Sequence, residues 1–254
     1  MEEINIVESI TSGAPAVSMP STARGVDWIT CGTPAVSMPS AARDVGWIVA
    51  QLTALYPIPQ PELNFTNPYE TLIAALLSAH TTDKAVNAAT EVLFAQYPDI
   101  ASLSRADVPD VERIIKRVGL YRAKAKHAVA ACAAIMLSHN GEVPRDFDAL
   151  VSLPGVGRKV ANVVLANAFG IPAFAVDTHI HRVANRLGLA SSKTPRGTEE
   201  SLTAIIPPEL WRDTHHRIIF HGRRVCHARK PACGECPLAP ACAYFADNIV
   251  GNSE

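Results

Sequence analysis

The sequence lacks any run of about 18 uncharged apolar residues, so no membrane-spanning helix is expected. Its start, Met-Glu-Glu-Ile-Asn, has no basic segment ahead of an apolar one. No secretory signal is expected, and the cytoplasm is the expected location. Net charge is nearly absent, −1 over 254 residues, which does not announce a nucleic-acid binder. Aromatic residues are few (6%), and no apolar–polar alternation of useful length occurs. These scarcities argue against a β-rich architecture. What is present is abundant Ala within a 48% hydrophobic content. That is enough for a core in one large or two modest helical domains.

The small net charge hides an uneven distribution. Residues 1–60 hold Arg24 and Arg43 against Glu2, Glu3, Glu8, Asp27 and Asp44. The stretch Trp211–Pro231 has Arg212, Arg217, Arg223, Arg224, Arg229 and Lys230 against Asp213 alone. A basic face of this kind suits phosphate contacts, although a solvated helix end has the same composition.

Residues 1–45 differ from the rest. Gly13-Ala-Pro-Ala-Val-Ser-Met-Pro-Ser recurs from Gly32 as Gly-Thr-Pro-Ala-Val-Ser-Met-Pro-Ser. Two copies are too few for a solenoid, and the Pro/Ser/Gly/Ala composition predicts a disordered tail. From Val45 onward the apolar spacing is helical. Ile48, Leu52 and Leu55 form one stripe, and Leu72, Ile73, Leu76 and Leu77 form another. Asp83 is the expected N-cap of a helix over 84–97, and Gly119 the expected glycine just past the end of another. Helices are also expected over 121–140, 178–187, 198–206 and 210–224. Asp177 is placed to cap the one at 178–187.

The densest signal is Leu153-Pro-Gly-Val-Gly-Arg-Lys-Val. Apolar residues recur at helical spacing on both sides of a Pro-Gly-Val-Gly turn, which reads as two helices joined by a tight hairpin. Its glycines let backbone N–H groups approach a bound group, and the second helix, from about Arg158, points its N-terminus the same way. Together they suit a phosphate oxygen. Lys159 falls in the first turn, where the helix's positive end works against an ammonium and favours an amine able to attack carbon. Taken alone, the same residues also describe an ordinary helix–helix turn with a solvated lysine.

Of the six cysteines, Cys226, Cys233, Cys236 and Cys242 form C-x6-C-x2-C-x5-C, while Cys31 and Cys132 lie far away. Such a cluster in a cytoplasmic chain reads as a metal site. Only one short knuckle is present, so an iron–sulfur cubane fits better than zinc. Cys132 reads as a small core residue.

Together these stretches resemble the endonuclease III-type DNA glycosylase/AP lyases of the helix-hairpin-helix superfamily. The resemblance runs from about Gln51 to Tyr244. It includes Glu62-Leu-Asn-Phe, Leu76-Leu-Ser-Ala, Gly119-Leu-Tyr, Asn140-Gly-Glu-Val-Pro, the hairpin, Val176-Asp-Thr-His, His215-His, His221-Gly-Arg and the four cysteines. It implies an all-α fold of two helical domains with a cleft between them. Residues 61–170 would form a six-helix domain with the hairpin. Residues 46–60 and 171–254 would form the cluster domain.

It also implies Lys159 as nucleophile, Asp177 as catalytic carboxylate, and the four cysteines as ligands of a [4Fe–4S] cluster. DNA contacts are implied at Leu153, Gly155, Val156, Gly157 and Arg158, and at His80 and Leu120, which would fill the gap left by a flipped base. His80 stands where the family commonly has Gln. The implied partner is double-stranded DNA with oxidised pyrimidines or abasic sites, bound by a monomer. Two rivals share parts of this pattern. An adenine mismatch glycosylase lacks the Lys and adds a C-terminal domain, whereas this chain stops about a dozen residues past Cys242. A non-catalytic DNA-binding or redox module would use only the hairpin and the cluster.

Overall fold

The computed structural model describes residues 44–250, with no side-chain description for 249 and 250. The repeat of the expected tail lies outside the described residues. Among those described there is no strand. The helices are α1 (Val45–Leu55), α2 (Pro68–Ser78), α3 (Asp83–Gln96), α4 (Ile100–Ser104), α5 (Val108–Ile114) and α6 (Tyr121–Ser138). Then come α7 (Phe147–Ser152), α8 (Arg158–Ala168), α9 (Thr178–Leu187), α10 (Pro195–Ile205) and α11 (Trp211–Arg224), followed by short helical turns.

Most helix starts are set by side chains. Asn67 accepts from the Glu70 N–H at 2.9 Å, with Pro68 opening α2. Asp146 accepts from Ala149 N–H at 2.9 Å and starts α7. Each satisfies an N–H that the helix itself leaves without a partner.

Two apolar cores result. One gathers α2 to α8, from Tyr69 to Ala173, with Leu72, Ile73, Leu77, Leu103, Ile115 and Ile135 fully buried. The other joins Ile48, Leu52 and Tyr56 of the first segment to residues between Phe174 and Ala241. Burying each Leu or Ile contributes about 1.5–3 kcal/mol. The chain passes between the cores at about 57–68 and 171–177. The cleft lies where α2 and α8 of the first core meet α9 and α11 of the second.

Several local expectations are corrected. Leu55 is 37% exposed, because the α1 stripe turns through Val49. The cap of α3 is Thr82, which accepts from Ala85 N–H, and Asp83 is the first helical residue. Gly119 is not a left-handed C-cap; the left-handed residue is Leu120, with φ 58°. Glycine is needed at 119 for another reason. A Cβ there would lie 2.6 Å from the His80 carbonyl oxygen. The helix expected at 198–206 begins three residues earlier, at Pro195, capped by Thr194. Cys132 is fully buried in the first core.

Candidate active site and cluster loop

The hairpin places its groups by backbone geometry. Gly155 has φ +77°, and a Cβ there would meet His127 Cβ at 2.6 Å, so both conformation and space demand glycine. Gly157 is the N-cap of α8, with extended backbone and no side-chain cap; nothing lies within 4 Å of where its Cβ would be. The fold itself leaves room for a side chain there.

Leu153 and Val156 are buried in the first core. Their amides are already spent on Leu150 O and Leu153 O. Among the described residues no hydrogen bond takes the amides of Gly155 and Gly157. Arg158 is also engaged. Its guanidinium makes two 2.8 Å bonds to the Glu199 carboxylate of α10 and lies over the Phe147 ring.

Lys159, in the first turn of α8, is half-buried and lines the cleft cavity. Asp177 lines the same cavity as the N-cap of α9, with Oδ1 accepting from Ile180 N–H at 2.8 Å. The extended segment before Asp177 is gripped from both sides. Asn162 of α8, one turn beyond Lys159, donates to Phe174 O at 3.1 Å. His215 of α11 donates through Nδ1 to Ala175 O at 2.6 Å. The strip leading to Asp177 is thus tied to α8, which carries Lys159, and to α11.

The cavity wall continues through His215, His216, Asn167 and Phe65. Burial pushes the His215 imidazole down to about 4, with Lys159 adding to the effect and Asp177 opposing it. Burial likewise takes His216, which bonds Asn167 Oδ1 at 3.1 Å, down to about 3. Both rings are neutral near pH 7. At the rim, Arg223 of α11 bonds Asp83 Oδ2 at 2.7 Å and also Glu62, tying the α11 side of the cleft to the α3 side. Neither the Asn162 and His215 grips nor this triad carries a short-range sequence signal; the motifs Glu62-Leu-Asn-Phe and His215-His only flagged their neighbourhood.

His80 and Leu120 are both exposed and both left-handed, with φ 54° and 58°. The four cysteines line one cavity together with Leu187, His221 and Tyr244. Among the described residues no three His, Cys, Asp or Glu side chains are placed to hold a single metal ion. One zinc would draw its sulfurs to within about 3.8 Å of each other, given Zn–S of 2.3 Å. Four cysteines around a shared hollow fit a larger, multi-iron group. Donors already face the sulfurs: Arg186 Nη1 is 3.4 Å from Cys226 Sγ and His221 Nε2 is 3.5 Å from Cys236 Sγ.

Comparison with known proteins matches this arrangement. Residues 73–208 fit the HhH-GPD superfamily of base excision DNA repair proteins, and 226–242 fit the iron–sulfur binding domain of endonuclease III. Endonuclease III of Escherichia coli (strain K12) is 49% identical over 188 residues, covering 74% of this chain and 89% of that one. This chain belongs to the endonuclease III family. Endonuclease III of Bacillus subtilis (strain 168) is 46% identical over 189 residues, 74% of this chain and 86% of that protein. A solved non-covalent endonuclease III–DNA complex superimposes with TM-score 0.78 at 42% identity, covering 82% of this chain and 98% of that one. A trapped endonuclease III–DNA covalent intermediate gives the same score and identity over 81% and 97%. As a member of this family, the protein is a DNA glycosylase and AP lyase of base excision repair. It carries a [4Fe–4S] cluster, which fits the four-cysteine hollow.

Proposed function

We propose that this protein removes oxidised pyrimidines from duplex DNA with Lys159 as nucleophile and Asp177 as its carboxylate partner. The observation that carries the reading is that both line one cavity, from the N-terminal ends of two helices on opposite sides of the cleft. The cavity is the place proposed for the flipped nucleoside. The Lys159 amine attacks C1′, the C1′–N bond breaks, and the base leaves with the electron pair. Asp177 takes a proton from the attacking nitrogen and steadies the positive charge on the sugar. The C1′–O4′ bond then breaks, O4′ takes the proton from Asp177, and the open-chain iminium so formed acidifies C2′–H. Loss of that proton expels the 3′ phosphate, cutting the strand by β-elimination.

The free Gly155 and Gly157 amides are suited to a DNA phosphate oxygen, while His80 and Leu120 are suited to the space a flipped base vacates. Cys226, Cys233, Cys236 and Cys242 would hold the cluster, whose role is to fix the loop bearing Arg229 and Lys230. We assign residues 61–170 to the hairpin domain and 46–60 with 171–254 to the cluster domain, acting as a monomer in the cytoplasm. None of the described helices is long and apolar enough to cross a membrane.

The test is borohydride trapping on duplex DNA with an abasic site. Wild type gives a covalent adduct and Lys159→Ala gives none. Adduct formation by Lys159→Ala at the wild-type level removes Lys159 from the role.

A further inference from the structure

The Ser78–Thr82 loop and the Gly119–Tyr121 turn are far apart in sequence, yet one hydroxyl joins them. Thr81 Oγ1 accepts from Gly119 N–H at 3.0 Å and from Lys124 Nζ at 3.0 Å. It also donates to Ala79 O at 3.2 Å. Lys124 is 5% exposed, and no carboxylate pairs with it among the described residues. Its ammonium instead donates to Leu77 O at 2.8 Å and to Ala79 O, carbonyls that the end of α2 leaves without helical partners. The Gly119 Cα also abuts the His80 carbonyl, with no room for a Cβ.

The two residues this arrangement presents are His80 and Leu120. Each is a non-glycine residue in the left-handed region and each is exposed, Leu120 to 66%. Residues with side chains persist in that conformation when their surroundings dictate it. Here the surroundings are the Thr81 hub and its buried cation.

We infer that Thr81 is a positioning residue that bolts the His80 loop to the Leu120 turn, so that both enter DNA as one preformed double wedge. The inference rests on the reading that His80 and Leu120 fill the gap in the duplex. Thr81 itself is turned to the protein, and its hydroxyl bonds are all internal. Without the bolt each loop must find its shape after binding, and binding energy is lost to ordering.

The experiment compares single-turnover cleavage of a lesion-bearing duplex with borohydride trapping on a single-stranded abasic oligonucleotide, which has no stack to open. A 2-aminopurine beside the lesion reports stack opening by fluorescence. Thr81→Val keeps the shape and removes the hydroxyl. It is expected to lower the duplex rate and the fluorescence rise about tenfold, and to change single-strand trapping less than about twofold. Thr81→Ser restores the duplex rate. Gly119→Ala, which pushes the His80 carbonyl away, reproduces the duplex-only loss. Wild-type duplex rates in Thr81→Val, or equal loss on both substrates, overturn the bolt. Leu120→Ala keeps the two readings apart. Duplex loss in Leu120→Ala with none in Thr81→Val removes the bolt and leaves the wedge standing. No duplex loss in Leu120→Ala removes the wedge, and the bolt with it.

Discussion

Two helix N-termini meet at the cavity and they are finished in opposite ways. The start of α9 is closed by its own carboxylate: Asp177 caps it with one oxygen and lines the same cavity as Lys159. The start of α8 is left open. Gly157 supplies no side chain, and no group among the described residues takes the amides of Gly155 and Gly157. Both ends carry the same partial positive charge. At α9 that charge holds an internal anion, the carboxylate proposed for the chemistry. At α8 it remains available to an external one. A helix start is therefore a reusable device, and the N-cap residue decides which partner it serves.

The largest effect should come from removing the charge of the closed end while keeping its cap. Asparagine is as good an N-cap as aspartate. Asp177→Asn should therefore leave the thermal midpoint nearly unchanged and cut single-turnover base release by about 10²–10⁴-fold. A large fall in melting temperature with a small kinetic effect would make Asp177 a structural cap only.

Next in size is the reverse change, closing the open end. The Gly157 backbone is extended, and space for a side chain is free. Gly157→Asp should cap α8 at no cost to stability, since Asp and Gly differ by a few tenths of a kcal/mol as N-caps. Its carboxylate would occupy the place proposed for a phosphate. DNA affinity should weaken by about tenfold or more, most at low salt. Unchanged affinity in a titration would mean that the α8 terminus does not touch the DNA backbone.

A third effect separates the two ends by pH. His215 and His216 lie on α11, and His215 grips the strip leading to Asp177. Burial lowers both imidazoles in the folded protein, to about 4 and about 3. The unfolded chain, with histidine near 6.5, binds protons more readily in the same range. Stability from the neutral rings is thus complete above about pH 6.5 and declines as pH falls toward 4. The slope approaches about 1.4 kcal/mol per pH unit for each ring. Chemical denaturation at pH 7.5 and 5 should show the loss, and replacing His216 with Gln should reduce it.

What could be read in the sequence was local. The hairpin glycines, Lys159 in a first turn and Asp177 before a helix all depend on neighbours within four residues. The cysteine spacing is likewise a short-range pattern. What could not be read was set across the chain. Gly119 looked like a helix-ending glycine because it follows an apolar stretch. Its real constraint is the His80 carbonyl, 39 residues away. Thr82 and Asp83 are both good caps, and propensity cannot choose between adjacent candidates; pairing of Asp83 with Arg223, 140 residues later, accompanies the choice of Thr82. Likewise, nothing near Ala175 announces that its carbonyl will hold His215. Leu153 and Val156 show the limit from the other side. A motif marks a segment that contacts a ligand, but which of its members turn inward depends on the core behind it.

The smallest expected effect tests Arg158, the first residue of the helix at the open end. As a cation beside two free amides it looks made for a phosphate. Its guanidinium is instead paired in two bonds with Glu199, which is mostly buried on α10, and stacked on Phe147. Arg158 is still 44% exposed in its side chain, so solvent screens the pair and its contribution is about 1 kcal/mol or less. Glu199→Gln keeps the shape and a hydrogen bond but removes the counter-charge. If Arg158 is a strut joining α8 to α10, the thermal midpoint should fall by about 2–4 °C and DNA affinity should stay within about twofold. If Arg158 serves DNA, releasing it from its carboxylate should tighten binding several-fold and steepen the salt dependence by about one phosphate contact. The two-point geometry, in which both carboxylate oxygens are occupied, favours the strut. On that outcome the open end of α8 would attract phosphate through backbone amides alone.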